Sequence, residues 1–209
     1  SGFGESPLME FVEHLAGVEN AHFLLADHAA EVKALFAAMH RVLLRKAEIE
    51  LEHTPADMTY LTENTSTTLI SPDQYRAYCL PYISQYAGIA RRHGRSLVLH
   101  MCGYLKDLLP DLAKVGAAAF EAFTSPPVGN TRLADGRAAC PTVCLVGGTN
   151  ATLWMQPART IIAELERDLA ALPHHRGIVI TSAGVMPPCA APETIREVCR
   201  WVQAYRARW

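Results

Sequence analysis

The residue types best suited to chemistry are a histidine and a cysteine at the end of one hydrophobic strand. The segment from Ser96 to Gly103 reads SLVLHMCG, with three aliphatic residues leading into a His-x-Cys pair. Residues i and i+2 of an extended chain point to the same side, so His100 and Cys102 share a face. An imidazole and a thiolate are ligands that zinc prefers. The spacing predicts a metal site where this strand ends.

The His-x-Cys pair taken alone is a weak signal. Nine histidines and six cysteines in 209 residues give roughly 0.3 such pairs by chance. Two ligands on one strand also define only half of a tetrahedron, so the other ligands must come from neighbouring strand ends. The position of the pair favours a site, because a buried strand delivers both side chains to an open end.

Composition narrows the class of protein. Half of the residues are apolar, 19% are charged and the formal net charge is −2, which gives no electrostatic reason to expect nucleic acid or an anionic membrane as partner. No apolar run approaches the roughly 20 residues that span a bilayer. We therefore expect a cytoplasmic protein of one domain over residues 1–209, with six reduced cysteines.

Short apolar segments alternate with helical ones along the chain. The segments are not polar on alternate positions, which is typical of a parallel sheet covered on both faces. We predict five parallel strands, adjacent in chain order, near residues 58–62, 97–102, 118–123, 143–147 and 177–181.

Capping signals and apolar periodicity predict the helices between these strands. Ser6-Pro7 should begin a short helix to about Ala16, and Asp27 should cap a long amphipathic one. Ser71 and Gln74 form a capping box for a helix that ends at Gly94, with a kink or a fresh start at Pro81. Further helices are expected over 105–115, from about 157 to 172 and from 192 to about 205, with a loop over 128–140.

Polar residues collect where the predicted strands end. A (β/α)₈ barrel builds its active site from such strand ends, whereas a doubly wound nucleotide-binding sheet would show a glycine-rich turn after its first strand. No such turn is present. A closed barrel needs eight strands and only five are found, so the alternatives are an open sheet or a barrel whose first three strands lie elsewhere. The polar strand-end residues are Glu63, Asn64, His100, Cys102, Glu121, Thr124, Thr149, Asn150 and Ser182.

Several motifs resemble the uroporphyrinogen decarboxylase superfamily, and most closely its cobalamin-dependent methyltransferases, such as methylcobamide:coenzyme M methyltransferases. They are TENTS with LISP (residues 62–66 and 69–72), LHMCG (99–103), VGGTN (146–150) and GVMPP (184–188). The resemblance runs from about residue 6 to 205. It implies an α/β chain holding the C-terminal five βα units, or three-fifths, of a (β/α)₈ TIM barrel.

The resemblance also implies a mechanism. In the methyltransferase branch, zinc on a His-x-Cys pair and a distant cysteine binds a thiol, which takes the methyl group from a corrinoid. His100 and Cys102 match the first two ligands, but Gly184 stands where the distant cysteine is expected. Cys189 and Glu121 are the candidates for the third ligand. Cobalamin-independent methionine synthases, which are related, use a glutamate from the strand that carries Glu121.

The remaining strand-end residues have weaker assignments. Glu63 is costly to bury without a partner, so we expect it to line the barrel mouth together with Glu121, both as candidate catalytic carboxylates. Asn64, Thr149, Asn150 and Ser182 are candidate substrate-binding residues. The alternative for Asn64, Thr149 and Asn150 is that they cap the helices that follow, and for Thr149 capping is favoured.

Three functions follow from these expectations. The first is zinc-dependent methyl transfer between a corrinoid, carried on a partner protein, and a thiol or related small-molecule acceptor. The second is metal-free decarboxylation of a porphyrinogen by a carboxy-lyase, and the third is a non-catalytic relic or fragment. A missing N-terminal segment, or another copy of the chain in a homo-oligomer, would complete the barrel. Glu63, His100, Cys102, Glu121, Asn150 and Ser182 are expected to converge on one cavity.

Overall fold

The computed structural model describes residues 1–209, and its centre is one sheet of five parallel strands. Strands that follow one another in sequence are neighbours in the sheet, and every neighbouring pair is parallel. Both the five strands and their order are as predicted. The strands are β1 (Met58–Thr62), β2 (Ser96–His100), β3 (Ala119–Phe123), β4 (Cys144–Gly147) and β5 (Ile178–Ile180).

Helices connect the strands and pack on one face of the sheet. Leu97 and Leu99 of β2 belong to the hydrophobic core shared with the helices, whereas His100 is half-buried and not part of it. The opposite face is therefore the one that a closed barrel would enclose, and we call it the inner face. The helices are α1 (Pro7–Glu10), α2 (Val18–Asp27), α3 (Ala29–His53), α4 (Pro72–Gln74), α5 (Leu80–Arg92), α6 (Leu109–Val115), α7 (Leu133–Ala139), α8 (Ala158–Ala170) and α9 (Pro192–Ala204).

The strand register aligns one row of residues across the whole sheet. Thr62 lies opposite His100, His100 opposite Glu121, Glu121 opposite Val146 and Val146 opposite Val179. Because successive residues of a strand point to opposite faces, this row shares the inner face. The register thus brings the His100 and Glu121 side chains together near the carboxyl ends of β2 and β3.

Two helices differ from the predicted pattern. Asp27 does not cap the long helix: it is the last residue of α2, and α3 begins at Ala29 after His28. Residues 128–140 are not all loop either, since α7 occupies seven of them. Both errors arise because periodicity in a window of eleven or more residues does not resolve a break between adjoining helices or a helix of two turns.

Pro81 starts a helix afresh, as predicted. α4 has the expected capping box, in which Ser71 and Gln74 bond each other's backbone N–H. A π-helical turn over Tyr75–Cys79 then leads into α5, with Pro81 in its first turn. Proline is tolerated there because the first N–H groups of a helix have no intrahelical acceptor.

The five strands form an open arc with two edges. At the β1 edge only Ser1 and Gly2 pair with the strand, and the Tyr60 N–H donates to the Ser1 carbonyl over 2.8 Å. The other edge is β5, which pairs with β4 alone. Among the helices, none has both the length and the apolar character needed to traverse a bilayer.

Candidate functional site

Three consecutive strands place a tyrosine, a histidine and a glutamate in mutual contact on the inner face. Nδ1 of His100 lies 2.5 Å from Oε2 of Glu121 and 2.8 Å from the hydroxyl oxygen of Tyr60. The Tyr60 hydroxyl also donates to Oε2 of Glu121. The other ring nitrogen of His100, Nε2, is not engaged by Tyr60 or Glu121, and the Cys102 side chain lies within hydrogen-bonding reach of the ring. The ring is therefore oriented from one side and presents Nε2 on the other.

Cys102 stands beside this group, where the chain leaves β2. Its thiol donates to Oδ1 of Asn64 over 3.6 Å, and the Asn64 amide donates to Glu13 over 3.1 Å. Asn64 adopts a φ of 45°, a left-handed conformation that asparagine tolerates better than most residues. Cys102 and Asn64 line an open cleft of about 640 Å³. The cleft leaves room for a small molecule next to the thiol.

The electrostatics of the site follow from these contacts. The Cys102 side chain and then Glu121 raise the pKa of His100 to about 9, against the opposing effect of partial burial. Burial, together with the hydrogen bond to Glu121, raises the pKa of the Tyr60 hydroxyl above its ordinary value. Without a metal, the ring of His100 is thus an imidazolium at neutral pH, and Tyr60 keeps its proton as a donor.

Glu63 does not line the barrel mouth, contrary to expectation. Its side chain is completely buried on the helix side, where the Ser6 N–H donates to Oε2 over 3.0 Å and the Ser6 hydroxyl donates to Oε1. Burial raises its pKa to about 8. The cause is strand alternation: Tyr60 and Thr62 take the inner face, which sends Leu61 and Glu63 to the other face.

Thr149 and Asn150 are held within the loop that follows β4. The Thr149 hydroxyl donates to the Thr181 carbonyl and accepts the indole N–H of Trp154 over 2.8 Å. Asn150 Oδ1 accepts the Leu153 N–H over 2.9 Å, and its amide donates to the Pro126 carbonyl. Asn150 thus satisfies an N–H at the start of the short 3-10 turn Leu153–Met155, whereas the Thr149 hydroxyl caps no helix, contrary to the favoured alternative for that residue. Together the bonds link the loops after β3, β4 and β5.

Ser182 and Cys189 also lie apart from His100. The Ser182 hydroxyl donates to the Gly184 carbonyl over 2.5 Å and lines a different cavity, between the end of β5 and α9. Cys189 is an exposed thiol on the loop before α9. The expected convergence of six residues on one cavity is therefore wrong in part, because only His100, Cys102 and Glu121 come together.

A complete set of metal ligands is not assembled around His100. Ligand atoms of three His, Cys, Asp or Glu residues lie within 4.8 Å of one another at one place only, formed by Glu5, Glu10 and His14 near the surface. The Glu121 carboxylate already accepts hydrogen bonds from Nδ1 of His100 and from the Tyr60 hydroxyl. The donor types at the mouth nevertheless suit zinc, since Nε2 and the Cys102 sulfur are available and a carboxylate on the second ring nitrogen is the usual outer partner of a zinc-bound histidine.

Tyr60 is a site residue that the sequence pattern does not predict. It lies inside β1, whereas the polar residues that predict the site lie at the strand ends. The alternation of side chains along a strand is the signal for it, because Tyr60 lies two residues before Thr62 and therefore on the same face. The parallel register places Thr62 opposite His100. A long side chain at that position reaches along the strand to the mouth.

The fold and this mouth define a partial (β/α) barrel with polar groups at the carboxyl ends of its strands. The family model of uroporphyrinogen decarboxylase (URO-D) matches residues 2–205. The chain therefore belongs to the uroporphyrinogen decarboxylase family, as the sequence motifs predicted.

A solved structure with the same fold is a methyltransferase from Methanosarcina mazei. It superposes with a TM-score of 0.72 at 20% sequence identity, over 97% of this chain and 58% of that chain. The chain thus spans less than two thirds of the length of this structural neighbour, as expected for part of a barrel. A search of curated proteins finds no match.

Proposed function

We propose that this chain is a zinc-dependent methyltransferase of the uroporphyrinogen decarboxylase family, which transfers a methyl group between a corrinoid and a thiol or related acceptor. The observation that carries the proposal is the contact between His100 and Cys102 at the end of β2, where Cys102 also lines an open cleft. The methyltransferase named above, with the same fold, supports the choice within the family.

In this proposal His100 and Cys102 hold the metal through Nε2 and the thiolate sulfur. Zinc supplies the positive charge that keeps a thiol substrate deprotonated at neutral pH, where a free thiol of pKa about 8.5 is mostly protonated. Glu121 accepts the Nδ1–H of His100 and so orients the ring. The hydrogen bond from the Cys102 thiol to Oδ1 of Asn64 belongs to the metal-free site and would be lost when the thiol gives up its proton to bind zinc. The cleft beside Cys102 admits the acceptor.

The third protein ligand is the open part of the proposal. Glu121 reaches the metal only by leaving its present hydrogen bonds, and Cys189 only by a movement of the loop after β5. Either rearrangement would complete a three-ligand site with one position left for substrate. The corrinoid would be carried on a partner protein that docks at the mouth.

Zinc content after Cys102→Ser is the decisive experiment. The protein is refolded with zinc, dialysed and analysed for metal, and the wild type is expected to retain about one zinc per chain, while Cys102→Ser retains almost none. Cys199→Ser, which removes an exposed thiol from α9, is the matched control and should bind zinc like the wild type. Circular dichroism checks that all three proteins are folded.

Two results would overturn the proposal. One is a folded wild-type protein that keeps far less than one zinc per chain. The other is a Cys102→Ser variant that keeps the wild-type amount. In either case the remaining candidates are a metal-free carboxy-lyase of the same family and a non-catalytic relic or fragment of it.

A further inference from the structure

We infer that Tyr60 is a positioning residue, which acts through Glu121 to fix the His100 ring in one orientation and one tautomer. The inference adds a residue from a third strand to those that orient His100. It rests on the proposed function, because a fixed ring serves to hold zinc. The test of the inference does not depend on zinc binding, because NMR reports the tautomer of His100 in the metal-free protein.

The geometry assigns the direction of each hydrogen bond. Oε2 of Glu121, as a carboxylate oxygen, can only accept, so both the Tyr60 hydroxyl and Nδ1 of His100 donate to it. The Tyr60 oxygen then lies 2.8 Å from Nδ1 with its one proton already directed at Glu121. A lone pair of Tyr60 faces the Nδ1–H bond. This favours the ring form that carries its proton on Nδ1 and leaves Nε2 unprotonated.

Tyr60 contacts His100 through its hydroxyl and not by ring stacking. The two ring centroids are 6.0 Å apart with an interplanar angle of 45°. Tyr60, His100 and Glu121 come from β1, β2 and β3, so the three side chains brace adjacent strands against one another. Removing the hydroxyl alone would leave the ring in place while releasing one of the two donors to Glu121.

A free carboxylate would reorient, and the histidine would lose its fixed acceptor. Outer partners of metal-binding histidines typically change metal affinity by about 10–100-fold when removed. We therefore expect Tyr60→Phe to weaken zinc binding about 10-fold without unfolding the protein. Tyr78→Phe, which removes a hydroxyl from a tyrosine that packs against Phe36 in the core shared with the helices, is the matched control.

The first measurement is the ¹⁵N NMR spectrum of histidine-labelled, zinc-free protein at pH 10, where the imidazole is neutral. The wild type and Tyr78→Phe should show His100 protonated on Nδ1 alone, whereas Tyr60→Phe should show both tautomers. A Tyr60→Phe spectrum with His100 unchanged would overturn the inference. This arm remains decisive if the wild type binds no zinc, which would defeat only the proposed function.

The second measurement is zinc affinity, by competition with a chromophoric chelator, in a double-mutant cycle of Tyr60→Phe and Glu121→Gln. Because Tyr60 acts through Glu121, the double variant should bind zinc no more weakly than Glu121→Gln alone. Additive losses would show that Tyr60 acts independently of Glu121 and would also overturn the inference. Should Tyr60→Phe fold poorly, the ¹⁵N spectrum of zinc-free Glu121→Gln at pH 10 tests the same arrangement, and a His100 still protonated on Nδ1 alone in that variant would overturn the inference.

Discussion

At the scale of single residues, Glu63 is a carboxylic acid held away from water. It accepts from the N–H and the hydroxyl of Ser6, and the Ser6 hydroxyl also lies 3.5 Å from the Cys79 sulfur. Burial raises the pKa of Glu63 to about 8. The side chain is therefore protonated at neutral pH, and it joins the start of α1 to the end of β1 as a neutral group. A buried charge at this position would be costly.

This raised pKa predicts how stability depends on pH. Between the unfolded pKa near 4.5 and the folded pKa of about 8, the folded state binds more protons at Glu63 than the unfolded state does. Stability contributed by Glu63 is thus fully present below pH 4.5 and is lost as pH rises to 8, at a rate on the order of 1 kcal/mol per pH unit at most.

Glu63→Gln should remove that loss, because an amide matches the protonated carboxyl in shape and hydrogen bonding. Urea unfolding of both proteins at pH 5, 6.5 and 8 measures the difference. The control is Glu193→Gln, which changes an exposed carboxylate on α9 and should keep the wild-type slope. An equal fall in stability for the wild type and Glu63→Gln would contradict the assignment of a neutral Glu63.

The alternation of side chains between the two faces of a strand explains how much of the site could be predicted from the sequence. The i, i+2 spacing placed His100 and Cys102 on one face, and the strand order brought Glu121 beside them. Glu63 was misplaced because the sequence fixes neither the last residue of β1 nor the face on which it ends. Thr149, Asn150 and Ser182 bond groups of the loops after β4 and β5, and their assignment to substrate binding stays a prediction, because polar loop residues after a strand also satisfy backbone groups and sequence alone does not separate the two roles.

At the scale of secondary-structure elements, close packing of α7 on the sheet depends on a glycine. A Cβ atom at Gly136 would lie 2.6 Å from the Phe123 ring and 3.0 Å from Leu145. Both are fully buried core residues of β3 and β4. Gly136 therefore permits the helix to approach the strands, at the cost of the lower helix propensity of glycine.

Two glycine substitutions should act in opposite directions. Gly136→Ala should destabilise the protein by about 1–3 kcal/mol, as overpacking of a filled core does. Gly88→Ala in α5, where a Cβ would meet nothing within 4 Å, should stabilise it by about 0.5–1 kcal/mol through helix propensity. Free energies of unfolding in urea measure both effects. A stabilising Gly136→Ala would show that α7 does not pack this closely on β3.

The same packing shows why some elements were harder to predict than others. The strands are apolar runs between turn residues, and all five were found within two residues of their observed bounds. α7 escaped detection because its seven residues include Gly136 and carry too few apolar positions for a periodic signal. Its existence depends on tertiary contacts with β3 and β4, which a local pattern does not contain.

At the scale of the whole molecule, the open arc leaves the inner face of the sheet accessible. The aligned row that carries His100 and Glu121 continues through Val146 to Val179 of the edge strand. Val179 is 47% exposed, although a closed barrel would bury this position. Unpaired edges and apolar faces of this kind promote pairing with other chains. The two barrel-completing alternatives, another segment and another copy, both cover this surface.

We predict that the 209-residue chain self-associates through the β5 edge and the inner face. Val179→Lys places a charge on that surface and should raise the monomer fraction in sedimentation velocity over a range of protein concentrations, as charged edge residues do in natural sheets. Val185→Lys adds the same charge to a loop residue that is 87% exposed and should associate like the wild type.

Equal unfolding temperatures for the two variants would show that the effect lies in association and not in stability. A wild-type chain that stays monomeric at every concentration, or a Val179→Lys variant that associates as strongly as Val185→Lys, would contradict the prediction and would leave a further segment as the structure that covers the edge.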